Sequence, residues 1–227
     1  MENHEGKSNQ YKRVAGISIL FMLFSQPLWA HVIVGELEKL SAADAALVYL
    51  GLGYKHILPL GFDHILFILS LFLLSPKLKS VLWQATAFTV AHSVTLGLAM
   101  YHVITPPAKI VEPVIALSIM YVALENIISP KLKTSRIGVV FLFGLVHGMG
   151  FAGALGQLGL PKNAYLLSLV MFNVGVELGQ LTVILTAYFL LARNFGDKPY
   201  YRKYSVIPLS AMIVIVAAYW TVERLFF

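Results

Sequence analysis

The sequence predicts an all-α polytopic membrane protein: a bundle of six transmembrane helices behind an N-terminal signal peptide. Three observations carry this. Of the 227 residues, 58% are hydrophobic and 12% charged, with a mean hydropathy of +0.77; soluble domains are about half apolar and about a quarter charged. The apolar residues gather into runs, most of them of membrane-crossing length. The basic residues collect in alternate short loops between those runs. That placement also disposes of the nucleic-acid partner that a net charge of +6 would suggest, and leaves the lipid bilayer. With no cysteine there is no disulfide and no thiolate ligand. Any metal is left to His, carboxylate, amide or Met.

Residues 1–30 read as the signal peptide. Lys7, Lys12 and Arg13 form a basic start, Val14–Phe24 is a short apolar stretch, and "SQPLWA" ends at the small Ala30. The alternative is an uncleaved anchor. Cleavage would expose His31, whose amine and imidazole could chelate a metal. Residues 31–55 are expected as a short extracytoplasmic segment with one capped helix, where Ser41 and Asp44 have capping-box spacing. Pro59 and Gly61 then interrupt the chain, so that this helix breaks before or within the first span. The transmembrane domain, 56–227, holds spans over 57–75, 80–101, 110–128, 136–157, 163–192 and 204–226. The fifth exceeds the ~20 residues a bilayer requires and must tilt or protrude. Lys77 and Lys79, then Lys131, Lys133 and Arg136, then Arg193, Lys198, Arg202 and Lys203 mark the cytoplasmic loops; the other loops carry little beyond Lys109 and Lys162. The mature N-terminus then lies outside, as a cleaved signal requires.

"SPKLKS" (75–80) recurs as "SPKLKTS" (129–135). Twelve residues after each closing serine stands a histidine, His92 and His147. "FTVAHSVTLGLA" echoes "FGLVHGMGFAGA". These features suggest a parallel repeat of helical hairpins, although short basic loops also resemble one another by chance.

Ionisable groups inside spans are costly and point to function. At ~1.5 Å per residue from the outer helix ends, Asp63 and His64 lie roughly 10 Å deep, His92 and His147 roughly 14 Å, and Asn173 about 16 Å. They form one layer drawn from four spans. Glu177 is one turn deeper and Glu112 is near the outer mouth. Glu125, near the inner end, could snorkel, pair with a loop lysine or mark an exit. Imidazole and carboxylate suit borderline divalent metals such as nickel, cobalt and zinc. Asp63 and His64 point about 100° apart on a helix, so one is expected to bind and the other to hold its partner's tautomer. His56 lies two irregular turns before His64. For each histidine alone, a bond to a neighbouring hydroxyl is the plainer role. Gly144 with Gly148, and Gly175 with Gly179, have the spacing of close helix packing. Met149 and Met171 read as packing residues rather than copper ligands.

"HILPLGFDHILF", "FTVAHSVTLGLA", "FGLVHGMGFAGA" and "FNVGVELGQL" together resemble the HupE/UreJ family of bacterial membrane proteins, over about residues 56–190. The resemblance implies an inner-membrane nickel or cobalt permease or accessory, with a motif of His56, Asp63 and His64 and a second of His147 and Gly148. The chain departs from the better-known members twice. Six residues rather than five separate His56 from Asp63, and no glutamate follows His147–Gly148. Glu177 is the available substitute, and the departures resemble a divergent branch.

Two functions follow as expectations. The first is a permease, or an accessory that delivers metal to a partner such as a metalloenzyme maturation factor. A divalent transition metal would be held by His64, Asp63, His92 and His147, with His56, Glu177 and Asn173 in reach. It would pass inward near Glu177 and Glu125. No nucleotide-binding motif is present, so an ion gradient or a partner would supply the energy, and a homo-oligomer suits so small a bundle. The second is a zinc-dependent intramembrane hydrolase, with Asp63 or Glu177 as base and Ser93 as a polarising group.

Overall fold

The structure, a computed structural model, describes residues 40–75, 77–158 and 160–227. The expected signal peptide over 1–30, His31 and the start of the 31–55 segment lie outside them. Among the described residues every regular element is helical. The bundle comprises α1 (Ala42–Ile57), α2 (Phe62–Leu74), α3 (Leu78–Met100), α4 (Ala108–Ile128), α5 (Arg136–Leu158), α6 (Tyr165–Ala187) and α7 (Ile207–Phe226). A π turn over Tyr188–Ala192 carries α6 on to Phe195, and another over Arg202–Val206 leads into α7.

α1 starts where its sequence places it. Ser41 Oγ accepts from the Asp44 N–H at 3.2 Å and donates to Asp44 Oδ2 at 2.6 Å, a shortened form of the capping box. Its buried residues, Ala45, Tyr49, Gly53 and Ile57, recur every fourth position and face α6. There is no room between the two helices for more than hydrogen: a Cβ on Gly175 would fall on the Leu50 carbonyl oxygen, and one on Gly179 would press on Ile57. α3 and α5 meet the same way, with Gly144 against Phe88 and Gly148 against the His92 carbonyl. The glycine spacings thus serve close packing.

The span expected over 57–75 is not one helix. The chain turns after Ile57, because Pro59 has no N–H with which to continue the helix. α2 sets out at 68° to α1. With 13 residues α2 is about 20 Å long, short of the ~30 Å hydrocarbon core. It is apolar on every side because it is central: it packs on α1, α3, α4, α6 and α7 and buries Phe67, Ile68, Leu71, Phe72 and Leu73. α4, α5, α6 and α7, with their flanking turns, are long and apolar enough to cross a membrane, and the bent pair α1–α2 raises this to as many as five spans. α3 has the length, 23 residues, but Gln84, Thr86, Thr89, His92, Ser93 and Thr95 dilute its hydropathy. The apolar outer faces of these helices, with Ile128, Met212 and Ile215 largely exposed, are those of a multi-pass membrane protein.

In the two hairpins that share the "SPKLK" loop, α2 packs on α4 and α3 on α5, so corresponding members meet. Arg202, counted among the loop charges, has a structural task. Nη1 donates to the carbonyls of Asn126 at 3.0 Å and Ser129 at 3.2 Å, and Nη2 to Ile127 at 2.8 Å, capping the carbonyl end of α4 with a cation.

Candidate metal centre

The break between α1 and α2 brings two histidines of neighbouring sequence onto one spot. His56 ends α1, His64 begins α2, and their rings lie 4.6 Å apart. The His92 ring, from α3, is 6.1 Å from His56 and 5.9 Å from His64. One ring nitrogen from each of the three lies within 4.8 Å of the others. His147, from α5, packs at 5.1 Å from His64. His64, His92 and His147 are 3%, 0% and 1% exposed, so no bulk water solvates them.

The hydrogen bonds assign the tautomers. Asp63 Oδ1 faces His64 Nδ1 at 3.3 Å; a carboxylate only accepts, so Nδ1 carries the hydrogen. Asn173 Nδ2 donates to the Leu169 carbonyl at 2.8 Å, which turns Oδ1 towards His92 Nδ1 at 3.4 Å. Ser118 Oγ donates to the Ile115 carbonyl at 2.7 Å and so accepts from His147 Nε2 at 3.0 Å. In each ring the second nitrogen is left with a free lone pair. Nε2 of His56, His64 and His92 and Nδ1 of His147 are buried with no hydrogen-bond partner among the described residues. Buried polar atoms are rarely left so. Aromatic rings close the space: Phe151 at 3.8 Å from His56, Phe88 at 4.9 Å and Phe67 at 5.2 Å from His147. Convergent neutral imidazoles, with those of His64, His92 and His147 each oriented by an acceptor behind it, fit a borderline divalent cation.

The other candidates stand elsewhere. Asp63 Oδ1 also accepts from the His64 N–H at 3.0 Å, and Oδ2 faces Arg224 at 3.7 Å. Asn173 serves His92 from behind. Glu177 is outside the three-histidine group: Oε1 accepts from Thr86 at 2.8 Å, and the side chain lines a groove of about 540 Å³ between α3 and α6 with Thr86, Thr89, Ser93 and Asn173. Ser93 donates to the Thr89 carbonyl at 2.6 Å. Met149 and Met171 pack against the core.

Two arginines enter that the sequence left in loops or unremarked. Arg136, expected as a loop charge, is 2% exposed. It donates to Glu125 Oε2 at 2.9 Å, to Asn126 Oδ1 at 3.1 Å and to the Ser70 carbonyl at 3.2 Å. Glu125 is therefore paired with the first residue of α5, not with a lysine. Asn126, an amide within an apolar run, was the available signal. Arg224, from α7, reaches Asp63 and donates to the Glu112 carbonyl at 3.1 Å.

No curated protein and no solved structure matches the chain. The HupE / UreJ protein family matches residues 34–224, which takes in every helix described above but the last two residues of α7, and the chain belongs to that family.

Proposed function

We propose that the chain handles a divalent transition-metal ion, as a permease or as an accessory that passes the ion to a partner. The ion is cargo, and His56, His64 and His92 receive it. The observation that carries this is the convergence of three imidazoles, His64 and His92 buried and His56 half-buried, each with a ring nitrogen within 4.8 Å of the others. His147 offers a further nitrogen beside them. Asp63, Asn173 and Ser118 hold the rings in the receiving tautomer. Nitrogen donors without thiolate suit nickel, cobalt and zinc alike.

The reading includes six spans, with α1–α2 as a broken first span and α3 counted by its length. Broken helices are where transporters build ion sites. The basic loops put one end of the bundle in the cytoplasm, which leaves the histidines in the outer half and the expected signal peptide ahead of them. A hydrolase would require a carboxylate free to activate a metal-bound water. Asp63 is engaged by His64 and Arg224, and Glu177 and Ser93 face the α3–α6 groove, so transit is the stronger reading. Titration of the purified chain with nickel and cobalt tests it. Wild type should bind one ion, and His64→Ala and His92→Ala should lose it. Equal binding by all three proteins would refute the assignment.

A further inference from the structure

Two guanidinium–carboxylate pairs flank the histidines along the bundle axis. Ser70, whose carbonyl Arg136 holds, lies six residues beyond His64 on α2, so this pair sits about 9 Å further in. There Asn126 also donates to the Ser70 carbonyl at 2.8 Å and to Ser210 at 3.2 Å, tying α2, α4, α5 and α7 at one point. At the other end, Arg224 Nη2 stands 3.7 Å from Asp63 Oδ2 with its guanidinium over the Trp220 ring. The two pairs differ in kind. Side chains of the inner pair are 1% and 15% exposed, those of the outer pair 22% and 26%. The inner pair is buried and braced by further hydrogen bonds, the arrangement that is hard to break. The outer pair is long and within reach of water, the arrangement that exchanges readily.

Asp63 also stands one residue before His64 on α2, on the side of the outer end. Oδ1 is engaged by His64, and Oδ2 is the oxygen that Arg224 faces. We propose that Arg224 is the gate of the outer mouth: a tethered cation that occupies Asp63 until a divalent ion displaces it, and so a residue that selects cargo by charge. This rests on the metal-handling reading above. An ion must offer the carboxylate more than a single positive charge does; a doubly charged ion meets that condition and a monovalent one does not. Displacement frees the Asp63–Arg224 contact without touching the histidine tautomers, because Oδ1 remains on His64. The braced Arg136 keeps the opposite end shut meanwhile, so loading and release are separate events.

The test is the rate at which the purified full-length chain takes up cobalt(II), followed by its visible absorption in a stopped-flow instrument. Arg224→Gln should load at least about tenfold faster, because a unit charge beside a divalent ion both competes with it and repels it. Its final spectrum should match wild type, since no ligand has changed. Arg224→Lys keeps the charge and should stay near the wild-type rate; a role in packing alone would make the two variants alike. Equal rates for wild type and Arg224→Gln, or equal acceleration by Gln and Lys, would overturn the gate while leaving the histidine centre in place. A wild type that gives no cobalt spectrum, or a His64→Ala variant that gives the same one, would overturn the centre itself and the gate with it.

Discussion

His64, His92 and His147 are each backed by a side chain that accepts from one ring nitrogen. Asn173 shows what that task is worth. Its amide is locked by the Leu169 carbonyl, and its oxygen keeps the His92 hydrogen on Nδ1. In Asn173→Ala the ring is free to turn or change tautomer, and we expect cobalt affinity to fall roughly 10- to 100-fold with the fold intact, measured by calorimetric titration. Ser118→Ala should cost less, because His147 stands beside the three converging rings. Arg136 is a residue of the opposite kind. Arg136→Ala leaves Glu125 and Asn126 without their donor, and we expect a loss of about 3 kcal/mol in unfolding free energy, read from denaturation in detergent. Polar residues inside apolar runs stand out in a sequence, which is why Asp63, His64, His92, His147 and Asn173 could be singled out as candidates, while His56, at the end of a helix, stood apart from them. Arg136 was not, because a charge at the edge of an apolar run reads as a topology signal whether it lies in water or turns inward.

At the scale of the element, the cap at Ser41, the glycine faces and the hairpin loops were legible because each rests on spacing within one segment. The break between α1 and α2 was legible too, from Pro59 and Gly61, but its angle was not. Pro59 ends one helix and the next departs at 68°, a direction that the residues of the turn do not specify. His56 therefore joins His64 through a bend that no helical periodicity describes. The α3–α5 contact offers a controlled test of how helix packing positions the site. A Cβ on Gly148 would fall on the His92 carbonyl and crowd Thr95 Oγ1, whereas one on Gly153, on the same helix, would meet nothing within 4 Å. Gly148→Ala should push α3 off α5, displace His92 and abolish cobalt binding. Gly153→Ala should bind as wild type and gain up to about 1 kcal/mol from helix propensity, seen as a higher melting temperature. Equal behaviour of the two would mean that the spacing of α3 and α5 does not set the position of His92.

Across the whole molecule, charge is sorted by end. Lys77 and Lys79 stand at the start of α3, Lys131 and Lys133 precede α5, and Lys198 and Lys203 precede α7, so the basic residues share one end of the bundle. The opposite end carries the α1–α2 bend, the 101–107 loop and the pair of Asp63 and Arg224. By the positive-inside rule the two ends face different compartments, with the histidines nearer the outer one. The absence of cysteine makes the question clean, because a single introduced thiol is the only target for a maleimide. Thr105 and Lys133 are both exposed and lie in loops at opposite ends. In intact cells, a membrane-impermeant maleimide should label Thr105→Cys and leave Lys133→Cys untouched until the membrane is permeabilised. The reverse pattern would turn the bundle over and place Arg224 and Asp63 at the exit instead of the mouth. Labelling of both from outside would mean that the chain between them does not cross the bilayer an odd number of times, and that α4, the one helix between them, is the one to remove from the count of spans.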